Sequence, residues 1–360
     1  MGLIVLLVLL RAGLLLHTAG SVRARSAAST VGRGLLESAV AALLVYGVGY
    51  LAFLGVKDFE IEMRLIPLVA TAWFATSVVT GTMAERSRLS AQLAVAGAVG
   101  VVVPLAYRWL DDLSAVTGVS LGCAIAGAIA AVVLGARQGK YNRDGSANIL
   151  PGHNLTLQLH GIVLLALTLP VLFAGVGEKP IAGAILASSA AMLVAAGVTT
   201  LRFGKVDVLL CSAGGLAGAV AGAVAGGVFG SPLAIIVGAV VGFVAQWLTV
   251  QIDLRYRVDD PGGYVAPIVT ACVAVALVVV LSPLKGGAAW ADAAKFGGLT
   301  IACAGLVAII VAGVVLGMNA IKRLREHEDD EYEGLDLTRH DINAYPDFQQ
   351  TMIKSYHLRQ

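Results

Sequence analysis

The chain is poor in the residues that most soluble chemistry depends on. Of its 360 residues only 13% are charged, 6% are aromatic, six are histidine and four are cysteine. The cysteines, Cys123, Cys211, Cys272 and Cys303, each lie inside an apolar stretch, with no CxxC pair and no histidine at ligand spacing. That pattern argues against both a disulfide framework and a zinc site. No nucleophile–base pair and no metal-ligand set stands within the apolar stretches, so we expect no enzyme, no metal and no cofactor. The basic residues are scattered over many short loops and the formal net charge is only +2, which leaves no patch for nucleic acid. The Gly-rich run Ser212–Gly218 follows no strand and lacks P-loop spacing, so it reads as a helix-packing face and not as a phosphate cradle.

What the chain does have is hydrophobicity in long runs. Hydrophobic residues make up 58% of it and the mean hydropathy is +0.84, above the roughly 45–50% apolar share of soluble domains. Runs near the ~20 residues that cross ~30 Å of hydrocarbon number eleven: about 2–20, 35–55, 65–82, 90–107, 114–135, 156–175, 180–201, 207–229, 232–250, 264–282 and 296–320. The first lacks a basic leader, carries Arg11 in its middle and has no clear small-x-small cleavage site, so we read it as a retained helix and not as a signal peptide. With the N-terminus outside, inner loops hold fifteen lysines and arginines, from Arg23 to Arg325. Outer loops hold six: Lys57, Arg64, Arg108, Lys179, Lys285 and Lys295. The positive-inside rule then places the N-terminus outside and the C-terminus in the cytosol, in a cell (inner) membrane. Residues 1–321 form the membrane domain and 322–360 a cytosolic tail. The 43 glycines suit helices that touch closely in lipid.

A polar, basic, Gly/Pro-punctuated loop from Gly135 to Leu155 divides the spans. Five hydrophobic segments precede it and five follow before the last one, so the second set enters the bilayer with opposite orientation. Halves at about 1–135 and 150–285 therefore read as an inverted repeat, with any permeation path at their interface. Two charges fall at intramembrane depth, Arg11 and Glu37. Each costs roughly 2.5–3.5 kcal/mol at a helix centre on insertion scales, so both should face protein or water. Two arrangements stay open: a direct Arg11–Glu37 pair, or Glu37 at the inner interface with Arg11 in a subunit contact.

Four groups of residues stand in a telling order. They are Gly49, Tyr50, Phe53 and Gly55; Met83-Ala84-Glu85-Arg86; Gly135, Arg137, Gly139, Pro151 and His153-Asn154-Leu155; and Gly334-Leu335-Asp336, His340 and Ala344-Tyr345. Together they resemble the ammonium transporter (Amt/Mep/Rh) family over roughly residues 1–346, the tail match being the most specific. The resemblance implies an all-α polytopic fold with eleven transmembrane helices, two inverted five-helix repeats plus a C-terminal helix. It also implies a homotrimer embedded in membrane lipid, with one pore per subunit and a cytosolic tail docked on the inner face, where a regulatory protein would bind.

The resemblance further assigns positions. The family's Asp at the outer end of the fifth helix falls on Asp112, where it either orients backbone groups of the vestibule or caps its helix. Its His-Trp pair reads Arg108-Trp109 here. Its vestibule motif in the sixth segment falls on Thr168 to Val176, putting Leu169 and Val176 in place of pore-facing groups and Pro170 where it would bend or break the helix. The twin pore histidines fall on Ser120 and Ile268, and neither residue titrates near neutral pH. Thr117, Thr270 and His160 are candidates for a polar pore lining, His160 with the alternative of an inner-mouth or helix-contact role. We therefore expect a divergent channel for ammonia/ammonium or another small neutral solute. The competing reading is a non-conducting relative that regulates or senses through its tail. In that tail Leu335 and Tyr345 are expected as apolar anchors and Asp336 as a helix cap or a partner of Arg86 or Arg137, against the alternative of a disordered acidic extension.

Overall fold

The computed structural model describes residues 2–54, 61–144, 146–286 and 289–345. Gly55 and Lys57, named above, and the last fifteen tail residues, 346–360, lie outside the described residues. The chain forms α1 (Gly2–Ser21), α2 (Ala27–Ala52), α3 (Ile61–Thr82), α4 (Leu89–Trp109), α5 (Asp112–Leu134), α6 (Leu155–Ala174), α7 (Glu178–Phe203), α8 (Val208–Val228), α9 (Ser231–Val250), α10 (Val265–Val280) and α11 (Trp290–Ala320), then the short α12 (Glu328–Glu333) and α13 (Leu335–His340). Ten of these are long and apolar enough to cross a membrane, and α10 is an eleventh apolar helix of 16 residues. At about 1.5 Å per residue it reaches only ~24 Å, because Gly262-Gly263 precedes it and Ser282-Pro283 follows. Helix ends fall where local chemistry places them. The Asp111 side chain caps α5 through the Ser114 N–H and Gly135, at φ 78°, ends it. Asn154 caps α6 through the Leu157 N–H and Gly175, at φ 70°, ends it. Pro170 does not interrupt α6, which runs on for four more residues.

Packing repeats with a shift of five helices. The pairs α1·α3, α2·α4 and α3·α5 recur as α6·α8, α7·α9 and α8·α10, while α1 packs on α6 and α5 on α10 to join the halves. An odd number of helices per half reverses the direction of the second set, as the inverted repeat requires.

The halves close differently. In the second, backbones meet through small residues: a Cβ at Gly226 would stand 2.7 Å from Gly183 Cα, and Gly238 and Gly242 lie against the Ala187 and Ala191 backbone. Such contact replaces the hydrophobic drive that lipid cannot supply. The first half buries Arg11, His17, Arg33, Glu37, Thr76 and Gln92. Leu43, Leu193 and Ile309 are each more than 70% exposed, as expected of an apolar surface facing hydrocarbon.

Candidate functional site

The polar residues of α5 lie on one stripe. Ser114, Thr117 and Ser120 recur every three residues and are all fully buried, as helical spacing dictates. Ser114 donates to its cap Asp111, whereas the hydroxyls of Thr117 and Ser120 have no protein partner. Leaving a buried hydroxyl unpaired costs about 1–3 kcal/mol, so two neighbouring cases on one helix face mark a place where packing alone is not served. Across from α5, Ile268 of α10 is 2% exposed, and the Thr270 hydroxyl donates back to the Ala266 carbonyl at 2.8 Å. Ser120 and Ile268 are thus both buried, on two helices that pack together where the halves join.

At the N-terminal end of α5 a depression of about 630 Å³ is lined by Phe53, Arg64, Tyr107, Arg108, Asp111 and Asp112, among others. The cap of α5 is Asp111. Asp112 lies one residue inside the helix, exposed, and pairs with Arg64 at 2.9 Å. Trp109 does not line this space; it is 76% exposed and stacks under its neighbour Arg108 at 5.1 Å. Leu169 is fully buried in the helix bundle, and Val176 is 73% exposed beyond the end of α6. The structure therefore does not gather Trp109, Leu169 and Val176 into one vestibule. His160 sits on the outer face of α6, exposed, with Nδ1 2.8 Å from the Thr156 carbonyl of its own helix, away from the α5 stripe.

The opposite end of the bundle is a lattice of buried ions. Glu85, in the α3–α4 turn with φ 68° and 2% exposed, accepts from Arg137 Nη1 at 2.7 Å and from the backbone and side chain of Arg23. Its neighbour Arg86 is fully buried and donates to the Asp259 carboxylate at 2.9 Å and to the Asp259 carbonyl at 2.7 Å. Arg137 closes the ring with three bonds to the same carboxylate, from its backbone N–H, Nε and Nη2. Burial alone would raise the Asp259 carboxyl, but Arg137 and Arg86 outweigh it and hold it at about 2. Asp260 is the contrast. Its half-buried carboxylate caps the turn into α10, accepting from the Gly263 and Val265 N–H groups, and desolvation pushes it up to about 6. The Ala-Glu-Arg turn is thus a structural keystone and not a solvated loop pair.

The tail docks onto this lattice. Asp336 does not meet Arg86 or Arg137; it caps the long helix α2, accepting from the Ala28 and Ser29 N–H groups at 3.0 and 2.6 Å. Leu335 is 2% exposed. Gly334 has φ 107° and lies so close to Arg25 that a Cβ would stand 2.5 Å from that of Arg25, which is why glycine occupies it. Glu331 binds the Gln138 N–H and Arg325, Glu326 binds Arg33 and Arg339, and the His340 ring lies 3.2 Å from Ser29 Oγ. Tyr345 packs on Val22, Ala27 and Ala84, its hydroxyl 2.5 Å from His153 Nε2. From Glu326 to Tyr345, then, the acidic tail is ordered by contacts to α2 and to the α3–α4 and α5–α6 connections.

One interior group escaped the sequence reading. His17, in α1, is buried with Nε2 2.6 Å from the Gly262 carbonyl and its ring edge-on to Tyr264 at 4.8 Å. A carbonyl only accepts, so Nε2 carries the hydrogen there. A histidine within an apolar run was the available signal; its partner, 245 residues on, was not visible.

With this geometry in hand, the likenesses to other proteins agree. The profile of the Ammonium Transporter Family matches residues 1–345. The "Ammonium transporter Amt2" of Haloferax mediterranei is 27% identical, the match covering 95% of this chain and 88% of that protein. The Archaeoglobus fulgidus protein of the same name is also 27% identical, with 95% and 86% covered. A solved structure described as "Sensor Amt Protein" superposes with a TM-score of 0.81 at 19% identity, covering 93% of this chain and 95% of that one.

Proposed function

Since the chain belongs to the ammonium transporter family and is a multi-pass membrane protein of a family of transporters, not enzymes, we propose that it conducts ammonia or another small neutral solute. The path runs along the α5/α10 junction past Thr117, Ser120 and Ile268. The observation that carries this reading is the pair of buried, unpartnered hydroxyls at Thr117 and Ser120, which offer a small solute hydrogen bonds in an otherwise apolar interior. With Ser120 and Ile268 at the two histidine positions, no side chain there exchanges a proton near neutral pH, so the conducted species is the uncharged one. The alternative of a non-conducting relative draws support from a second observation: neither the depression nor the cavity described below is lined by Ser120 or Ile268. The deciding measurement is stopped-flow on proteoliposomes with ammonium and methylammonium gradients. Conduction predicts internal alkalinisation faster than in empty vesicles without a saturable ammonium-dependent current. Rates equal to empty vesicles would favour the regulatory reading, and a robust saturable current would overturn neutral conduction.

The same proposal includes a homotrimer in a cell membrane with one pore per subunit, halves at about 1–135 and 150–285, the N-terminus outside, and residues 322–360 as a cytosolic tail open to a regulatory protein. The lysine and arginine bias supports this orientation. Single cysteines at Tyr141 and Gly230 should be labelled from opposite sides of the membrane, and labelling of both from one side would sink the topology.

A further inference from the structure

A second polar feature lies apart from the α5 stripe. Between α1, α2, α3 and the tail is a cavity of about 30 Å³ whose walls include Arg11, Arg33, Glu37, Ser77, Thr80 and Gln92. A polar cavity holds a water once it offers about 10–15 Å³ and two to four partners, so this one has room for one or two.

The two charges that face it are deeply buried, Arg11 9% and Glu37 4% exposed. Among the described residues neither makes an ion pair. Arg11 donates to Ser77 Oγ at 3.2 Å and to the Gly34 carbonyl, and its guanidinium lies 5.9 Å over the Trp73 ring. Glu37 accepts from Thr80 Oγ1 at 2.8 Å. The direct Arg11–Glu37 pair that the sequence left open is not formed. The remaining charges around the cavity are matched elsewhere: Arg33 by Glu326, and Glu85, from the α3–α4 turn, by Arg23 and Arg137. Gln92 Oε1, Arg11 Nε and Arg33 Nε have no protein partner.

A carboxylate this deep, with one hydroxyl donor and no cation in contact, either takes up a proton or is hydrated. Leu335, from the docked tail, forms part of the same cavity wall, and among the described residues it is the only tail residue there. We propose that Glu37 is a proton-binding site, served by water in this cavity, and that Leu335 is the stopper between it and the solvent on the tail face. The step is a proton transfer alone: an Oε lone pair takes H⁺ from a water-borne hydronium, and Glu37 becomes neutral. Arg11 keeps its charge, held by Ser77, Gly34 and Trp73. Proton exchange in this cavity is thereby tied to the docked state of the tail, independently of any solute on the α5/α10 path.

Infrared difference spectroscopy of the full chain in lipid tests this through the protonated-carboxyl stretch. The wild type should show a band that titrates, vanishes in Glu37→Gln and shifts in Thr80→Val, the latter identifying it even if Glu37→Gln does not fold. On transfer to heavy water that band should convert about tenfold faster in Leu335→Ala than in the wild type, as expected when local opening is eased, and at the wild-type rate in Leu335→Met. A spectrum with no Glu37-dependent band between about pH 5 and 9, a band unmoved by Thr80→Val, or equal exchange rates in Leu335→Ala and the wild type would each overturn the proposal.

Discussion

The α5/α10 junction and the tail face treat buried polarity in opposite ways. At the tail face three buried carboxylates are answered: Asp259 by two arginines, Glu85 by two, and Asp336 by the N-terminal amides of α2. Along α5, Thr117 and Ser120 are buried with their hydroxyls unanswered by protein. The contrast teaches where this chain is under structural constraint and where it is not. A desolvated ion without its partner destabilises strongly, so the lattice must stay complete as a unit. An unpaired hydroxyl costs far less, which leaves room for a residue whose role lies outside packing.

The sharpest way to break this comparison is Asp259→Ala. It strands Arg86 in the interior and leaves Arg137 with Glu85 alone, and the loss should reach about 3–5 kcal/mol, seen as a collapse of the thermal unfolding midpoint in detergent. The pH dependence carries the same sign. Asp259 sits at about 2, below its unfolded value near ~3.9, so its stabilisation is fully present above roughly pH 4 and disappears as pH falls through about 2. An unchanged midpoint in the alanine variant would mean that the lattice is ornament.

Gly334→Ala comes next. A side chain at φ 107° is strained, at about 1–3 kcal/mol, and its Cβ meets Arg25. Tail amides from Leu335 to Tyr345 should exchange hydrogen faster while the helices stay protected; tail protection equal to wild type would show that docking does not run through this turn.

The smallest effect is expected at Ser120→Ala. Deleting an unpaired hydroxyl should leave stability unchanged or raise it by up to about 1 kcal/mol, while slowing solute flux. A clear loss of stability would reveal a protein partner for Ser120 and move it from the path into the core.

Much of this was legible beforehand for a local reason. Hydropathy acts segment by segment, so the eleven apolar helices, their ends at Gly135 and Gly175, and the five-helix repeat followed from the run of residues alone. Family-like spacing was enough to bring Leu335, Tyr345 and the Ala-Glu-Arg turn forward. It was not enough to say that Asp111, not Asp112, caps α5, because two adjacent aspartates differ only in which one meets the Ser114 amide. Nor could it say that Trp109, Val176 and His160 turn outward, since rotation about a helix axis is set by its neighbours and not by its own apolar count. The sequence by itself determined a membrane-crossing helical bundle, its punctuation and the absence of histidine at positions 120 and 268. Only the tertiary structure decided which charges answer one another. Arg86, Arg137 and Asp259 are brought together from three connections far apart in the chain, His17 meets Gly262 across 245 residues, and Glu37 is left facing a cavity beneath Leu335. Electrostatic pairing depends on distances through space that no local pattern encodes.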